Sequence, residues 1–263
     1  MLEGLDKLAG GVGKAVETVP ELYEDAFQPA AKESGKTLAI IPSTINALLA
    51  DLRIWNASRE YKVATAIKLL EEKFKKIGDE KITSPEPYVA VPALEAFFYS
   101  INCKELRDLY INLLAHAMYE DTKYSVHPAF VSVTMQLSPL DAQVFKKIME
   151  REINPCVNLV YENSNGNFIR IMQNLTDLTL SDPELISVSI ENLKRMNLIY
   201  VPEDGFYIKE SVYNPIIQGN FYITQKTLHP QTKDGFKFTH QKKQIVKTDF
   251  GKSFYEMCVL EPR

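Results

Sequence analysis

The chain has 263 residues, of which 45% are hydrophobic and 24% are charged, and its formal net charge is -4. This composition excludes a wholly disordered chain, and the mildly acidic balance argues against a protein that coats DNA over its whole surface. Because no apolar run reaches about 18 residues and the N-terminus lacks the pattern of a secretory signal, we expect neither a membrane span nor export. Three well-separated cysteines, Cys103, Cys156 and Cys258, predict a reduced, cytoplasmic protein.

The first segment predicts an amphipathic N-terminal arm over residues 1–34. Apolar residues recur there at three- and four-residue steps, as on one face of a helix, and residues 1–33 hold seven acidic side chains against three basic ones. Glycines weaken this helix and Pro20 ends it. Since such a helix needs a surface to lie on, one hypothesis is peripheral membrane contact through residues 1–56, where a second apolar stripe ends at Trp55.

The next segment, residues 35–137, predicts a helical domain. Apolar residues step by four and three from Val63 to Ile77, which is a short heptad seam. Two further apolar faces predict a helix after Val91 and a helix over residues 106–117.

Residues 138–263 predict a domain that mixes helices and strands. Ser138 is a good helix N-cap, Pro139 suits the first helical position, and the acidic Asp141 lies three residues past the cap, near the positive end of the helix dipole. Residues 157–161 predict a strand that ends in an Asn-Gly turn. Ser181 and Glu184 then have the spacing of a capping box at the start of a second helix.

The end of this domain predicts a wing. Residues 198–201 and 206–208 flank a glycine-containing loop and predict a β-hairpin, residues 209–247 form an extension after it, and Thr248 caps a closing helix. The predicted fold class is therefore mainly α with a small β component, an N-terminal helical domain followed by a winged-helix-like α+β domain.

A lysine-rich segment follows the predicted wing. Residues 226–247 hold six lysines against one acidic residue, interleaved with phenylalanines and histidines and without arginine. Lysines attract phosphates, and exposed aromatic rings stack on bases. The segment is therefore a candidate surface for binding nucleic acid or a partner, and its candidate residues are Lys233, Lys237, Lys242, Lys243 and Lys247. The favoured alternative is an ordinary solvated surface, because lysine clusters on loops are common. The absence of arginine weakens specific base readout, and the predicted fold does not settle the partner, since winged helices also bind proteins.

No motif in the chain predicts catalysis. His116 and Glu120 share a helix face and His127 follows them, but no cysteine or HExxH pattern completes a zinc site. The glycines at 10–13 lack the spacing of a phosphate loop. We therefore expect no catalytic residue, no metal and no cofactor, and enzyme activity is the less favoured hypothesis.

Five stretches of the chain occur in a characteristic order: VPALEA at 91–96, ELRDLYINLLA at 105–115, HPAFV at 127–131, LSPLDA at 137–142 and TDFGKSF at 248–254. Together they resemble the bacterial abortive-infection alpha (Abi-alpha) family, over roughly residues 35–260. The resemblance implies resistance to bacteriophage, in which an infected cell stops growing or dies. It implies no catalytic residue.

Three residues that match the family motif lack an evident structural role in the sequence, namely Glu95, Asn112 and His127. The predicted function is a non-enzymatic phage-defence module whose winged-helix-like domain binds nucleic acid or a partner protein, in a chain that forms homo-oligomers. The alternative is a membrane-acting effector that uses its N-terminal amphipathic helices to harm the infected cell.

Overall fold

A computed structural model describes residues 40–48, 57–75, 81–229 and 235–263. The predicted arm over residues 1–34, Trp55 and Lys233 lie outside the described residues. The chain is mainly α with a small antiparallel β component, as predicted. It forms two compact units, of which the first holds the described residues up to Gln136 together with Glu256–Arg263, and the second is Leu137–Tyr255.

The first unit is helical. Its elements are α1 (Ile40–Leu48), α2 (Ala57–Phe74), α3 (Pro87–Ser100), α4 (Lys104–Ala117), a 3-10 turn (Lys123–Ser125) and α5 (Ala129–Met135). Helix α4 is the centre of the unit, since residues 109–119 are all buried and α2, α3 and α5 pack on it. A helix that is covered on every side needs apolar residues all round, which explains why its apolar pattern is so strong.

The second unit mixes helices and strands. Its elements are α6 (Pro139–Glu150), β1 (Pro155–Glu162), β2 (Phe168–Leu175), α7 (Pro183–Arg195), β3 (Ile199–Tyr200), α8 (Asn214–Ile217), α9 (Asn220–Leu228), β4 (Lys237–Gln244), β5 (Val246–Lys247) and α10 (Asp249–Phe254). Strand β1 lies between β2 and β4 in an antiparallel sheet. A π-helix, Tyr255–Val259, follows α10.

The predicted start of α6 is confirmed. The Ser138 hydroxyl accepts a hydrogen bond from the Asp141 amide at 3.1 Å, and the Asp141 carboxylate accepts one from the Ser138 amide at 2.7 Å. Pro139 occupies the first turn, where its missing N–H leaves no bond unmade.

The predicted capping box at Ser181 is wrong. Helix α7 begins at Pro183, its N-cap is Asp182, and no side chain makes the cap hydrogen bond there. Proline favours the first helical position, so the cap falls on the residue directly before Pro183 and leaves Ser181 one residue outside the helix.

The predicted wing is also wrong. Residues 206–208 are not a strand, and the Tyr207 amide donates to the Tyr213 hydroxyl at 2.9 Å. Strand β3 pairs instead with β5. Contacts made directly after β5 hold this pairing of β3 with β5 in place. The Thr248 hydroxyl donates a hydrogen bond to the Asn197 carbonyl at 2.6 Å. A Cβ on Gly251 would lie 1.9 Å from the Leu198 carbonyl oxygen, so a glycine is needed for this close approach.

Candidate functional site

Lys247 is used inside the fold. Its ammonium donates to the carbonyl oxygens of Met149 and Arg151, at 2.9 Å and 2.6 Å. Both carbonyls belong to the C-terminal end of α6, where the helix leaves acceptors without intrahelical partners and where a positive charge is favourable. Lys247 therefore caps α6.

Lys242 and Lys243 also have protein partners. The Lys242 ammonium lies 2.5 Å from the Glu210 carboxylate and 6.0 Å from the centre of the Tyr213 ring. Lys243 is 9% exposed, and its ammonium donates to the Glu203 carbonyl. These two lysines hold the segment that contains Glu203 and Glu210 against β4.

Lys237 is exposed at the start of β4, opposite Glu162 of β1. The aromatic ring beside it is already stacked, because Phe238 lies parallel to the His229 ring with centroids 5.9 Å apart. Tyr222 packs on the same phenylalanine at 5.6 Å. The four described lysines of the predicted surface thus divide into one exposed side chain and three that bond to the protein.

Two histidines in this region are bonded to tyrosines. The Tyr222 hydroxyl lies 2.8 Å from Nδ1 of His240, and the Tyr161 hydroxyl lies 2.9 Å from Nδ1 of His229. Burial lowers the pKa of His240, and the nearby Lys242 lowers it further while Glu210 opposes the change. The pairs join α9 and the residue after it to the sheet.

Asn112 anchors the C-terminal segment of the chain. Its side-chain amide on α4 donates to the carbonyl oxygens of Cys258 and Val259, at 3.0 Å each. The residue is 4% exposed, and its Oδ1 atom makes no hydrogen bond within the described structure. Both acceptors belong to Glu256–Arg263, the part that returns to the first unit.

His116, one turn further along α4, holds the same segment. Its Nε2 atom lies 3.3 Å from the Leu260 carbonyl oxygen, so this nitrogen must carry a proton, and Nδ1 lies 3.1 Å from the Thr122 hydroxyl. Burial lowers the pKa of His116. This role could not be predicted from the sequence, because the acceptor is a backbone carbonyl 144 residues away.

The other two motif residues lie in different environments. His127 is exposed, and its Nδ1 accepts from the Ala129 amide at 3.1 Å, which satisfies a donor at the start of α5. Glu95 is exposed on α3, between the exposed Tyr88 and Tyr99. Asn112, His127 and Glu95 therefore do not share one chemical environment.

The described part of the second unit has an open groove of about 630 Å³ between α6 and α7. Its apolar lining includes Leu140 of α6 and Leu185 and Val188 of α7. Leu185 is 52% exposed and Val188 is 66% exposed. Sequence analysis did not identify these two residues as part of a binding surface. A signal was present, because both are apolar and lie off the buried face formed by Ile186 and Ile190.

The polar side of the groove is held in place by a chain of hydrogen bonds. The Asp141 carboxylate accepts from Nδ2 of Asn192 at 3.0 Å, and Oδ1 of Asn192 accepts from the Arg195 guanidinium at 2.9 Å. Because Asp141 also belongs to the capping box of α6, the two helices and their side chains are fixed relative to each other. A rigid groove loses little conformational entropy when it binds.

The exposed face of α7 carries both signs of charge around an apolar centre. Glu184 lies in the first turn and Arg195 in the last, with Leu185 and Val188 between them. A surface that binds DNA is predominantly positive because it neutralises phosphates, whereas an exposed apolar patch with a polar rim is typical of a protein-binding surface.

Two searches of the described residues concern other kinds of site. No group of three or more histidine, cysteine, aspartate or glutamate side chains is placed to hold a metal ion in the ranges that the structure describes. Within those same ranges, no helix has the length and apolar character needed to cross a membrane.

A protein-family model matches the chain. A search of the curated proteins and a search of the solved structures found no similar protein. The model of the abortive infection alpha family matches residues 58–258, which is most of the chain, and the match covers all of the second unit and part of the first. This chain is therefore a member of the abortive infection alpha family.

Proposed function

We propose that this protein acts in phage defence as a non-enzymatic binding module, and that the groove between α6 and α7 binds a protein partner. Membership of the abortive infection family supplies the biological role. The observation that carries the binding function is the exposure of Leu185 and Val188 beside a groove whose polar side is already hydrogen bonded. Binding of a partner removes these apolar side chains from water, which lowers the free energy of the complex.

Nucleic-acid binding by the lysine-rich segment is the less favoured version of this proposal. Lys242, Lys243 and Lys247 contribute their ammonium groups to contacts within the chain. Phosphate contacts would have to compete with those bonds. Lys237 is exposed, but one lysine supplies only a small part of the counterion release on which such binding depends.

The test is protection of a bacterial host against a panel of phages. Val188→Glu places a charge in the apolar part of the groove, where a partner would have to bury it. We expect this variant to lose protection, measured as the efficiency of plating and as survival of the infected culture. Since Val188 is mostly exposed, the fold is expected to remain, which circular dichroism checks.

Two control variants make the test specific. Ile208→Glu changes a side chain that is 93% exposed and does not line the groove, so we expect full protection. Lys237→Glu removes the exposed lysine of β4, and we also expect full protection. Loss of protection in Lys237→Glu together with full protection in Val188→Glu would overturn the proposal in favour of the lysine-rich surface.

The second hypothesis, a membrane-acting effector, rests on residues 1–56. Apart from α1 (Ile40–Leu48), these residues lie outside the described structure, so the hypothesis stays a prediction. Co-sedimentation with liposomes of the full chain, compared with a chain that lacks residues 1–34, tests it. Equal binding by the two chains would remove the arm from the hypothesis.

A further inference from the structure

Helix α3 of the first unit has one exposed face that runs along most of its length. Tyr88 is 63% exposed and Tyr99 is 91% exposed, and Pro92 and Glu95 between them are also exposed. Steps of four, three and four residues place these four side chains on one side of the helix, opposite the buried Phe97. We call Tyr88, Pro92, Glu95 and Tyr99 the tyrosine face of α3.

The side chains of the tyrosine face have no partners in the described structure. The Glu95 carboxylate and the two tyrosine side chains make no hydrogen bond, ion pair or ring contact with the residues that the structure describes. Single exposed apolar groups are ordinary on a protein surface. Two tyrosines on one helix face are less ordinary, because tyrosine combines a large apolar ring with a polar end and is enriched in protein interfaces.

The electrostatics of this face favour a cation. Glu95 is the one charged side chain of α3, and the last turn of the helix has no basic residue although it is the negative end of the helix dipole. The faces of the tyrosine rings also attract ammonium and guanidinium groups. Pro92 has no N–H to donate to the Tyr88 carbonyl, so this acceptor loses its usual helical donor.

The charged residues next to α3 in the sequence leave the sign of this face unchanged. Glu86, the N-cap of α3, is exposed and adds negative charge. Lys104 at the start of α4 is exposed, and no ion pair joins it to Glu95 in the described structure. The N-terminal residues 1–33 hold seven acidic side chains against three basic ones, so this segment has the same sign as the face and does not complement it.

We infer that the tyrosine face of α3 binds a basic peptide segment of a partner protein. One arginine or lysine of the segment pairs with Glu95, and two others lie on the rings of Tyr88 and Tyr99. A nucleic acid would instead bring phosphates against the carboxylate. The surface belongs to the first unit and is distinct from the groove between α6 and α7, so the inference goes beyond the proposed function.

The spacing of the face specifies a probe. Because a helix rises about 1.5 Å per residue, Glu95 lies about 10.5 Å along the axis from Tyr88 and about 6 Å from Tyr99. A helix that packs antiparallel on α3 matches these distances with basic residues at i, i+4 and i+11. The matched peptide is therefore an alanine-rich helix of about 18 residues with arginines at those positions, and the scrambled peptide has the same composition with its arginines on different faces.

Fluorescence anisotropy of the labelled peptides with the purified full chain tests the inference. We expect the matched peptide to bind with a dissociation constant of about 10–100 µM, and the scrambled peptide to bind at least about fivefold more weakly because its arginines cannot reach the face together. Absence of binding by the matched peptide, or equal binding by the two peptides, would overturn the inference.

Substitutions locate the binding on α3. Glu95→Gln removes the carboxylate at nearly constant size, and Tyr99→Ser removes a ring, so we expect each to weaken the matched peptide about fivefold. The matched control is Glu120→Gln, which removes an exposed carboxylate of the same unit outside α3, and we expect it to leave the affinity unchanged. Equal weakening by Glu95→Gln and Glu120→Gln would show that net charge alone attracts the peptide, and the inference would be wrong. Circular dichroism checks that the variants keep their helix content.

Two further measurements distinguish other occupants of the face. We expect a chain that lacks residues 1–34 to bind the matched peptide with the affinity of the full chain, and a much higher affinity would assign the face to the N-terminal segment instead. We expect sedimentation velocity to give the same oligomeric state for the native chain and for Glu95→Gln. A dimer that only the native chain forms would assign the face to a second copy, and either result would overturn the inference.

Discussion

Asn112 shows how a motif residue can act through the backbone of a distant segment. Its amide donates to two carbonyls of the C-terminal segment, one buried and one partly buried, and Asn112→Ala removes the donor for both. A buried acceptor without its partner costs about 1–3 kcal/mol, so we expect Asn112→Ala to lower the free energy of unfolding by about 2 kcal/mol. Urea denaturation measures it.

A matched control for this variant is Asn102→Ala. Asn102 is exposed in the turn between α3 and α4, and exposed substitutions usually change stability by less than about 0.5 kcal/mol. Equal effects of the two substitutions would show that the contacts of Asn112 with the C-terminal segment do not stabilise the unit.

His116 makes the stability of the first unit depend on pH. Burial lowers its pKa in the folded chain below the ordinary value of 6.5, so the unfolded chain binds the proton more readily. The stabilisation is therefore complete above pH 6.5 and is lost as the pH falls toward the lowered pKa. We expect the free energy of unfolding to decrease between pH 7.5 and pH 5, a range chosen around the ordinary histidine value.

His116→Gln tests this assignment, because glutamine keeps a donor and an acceptor but carries no titrating charge. We expect a smaller loss of stability on acidification in the variant than in the native chain. The remaining pH dependence includes His240, whose pKa burial also lowers. An identical pH dependence in the two chains would show that His116 does not titrate during unfolding.

At the scale of elements, α10 packs so close to the backbone before β3 that only a glycine fits at position 251. A Cβ at Gly251 would lie 1.9 Å from the Leu198 carbonyl oxygen and 3.0 Å from the Thr248 hydroxyl. Gly251→Ala must therefore push α10 away from β3. We expect a loss of about 3 kcal/mol in the free energy of unfolding, at the upper end of the cost of overpacking.

The neighbouring exposed position supplies the control for Gly251. Lys252→Ala lies on the same helix and removes an exposed ion pair with Asp249, which contributes about 0–1 kcal/mol. Thermal unfolding compares the two variants. If Gly251→Ala is no less stable than Lys252→Ala, the close approach to Leu198 does not determine how α10 packs.

The elements that sequence reasoning predicted correctly carry their signals locally. Helix α6 begins where Ser138, Pro139 and Asp141 indicate, because a cap is formed by residues within one turn of each other. The prediction of the wing was wrong because the pairing of β3 depends on residues far away in the sequence. Strand β3 has only two residues, Ile199 and Tyr200. Its partner is β5, whose position depends on Gly251 and Thr248 rather than on the turn after Tyr200.

The candidate groove could not be predicted from the sequence for a related reason. The buried face of α7 was predictable from the spacing of Ile186, Ile190 and Leu193, and all three are buried. Leu185 and Val188 gave a signal too, since they are apolar residues off that face. What the sequence lacked was the position of α6, which turns two exposed side chains into one wall of a groove.

At the scale of the whole molecule, the chain closes the first unit with its last residues. Glu256–Arg263 belongs to this unit, and it contributes the buried side chains of Met257 and Cys258. Asn112 and His116 bind its carbonyls, and Lys73 of α2 pairs with Glu261 at 2.6 Å. No local pattern indicates such a return, because its partners are more than 140 residues away along the chain for α4.

A chain that ends at Tyr255 tests this closure. This shortened chain lacks the apolar side chains and the acceptors that cover α4. We therefore expect the backbone amides of residues 109–119 to exchange hydrogen faster, by about tenfold or more. Each loss of about 1.4 kcal/mol in stability raises the population of the open state tenfold. The amides of β1 (Pro155–Glu162) in the second unit are expected to exchange at the native rate. A chain that ends at Glu261 keeps Met257, Cys258 and the ion pair with Lys73, and its α4 amides should stay protected. If α4 is protected equally in both truncated chains, the C-terminal segment does not stabilise the first unit, and the role assigned to Asn112 and His116 is wrong with it.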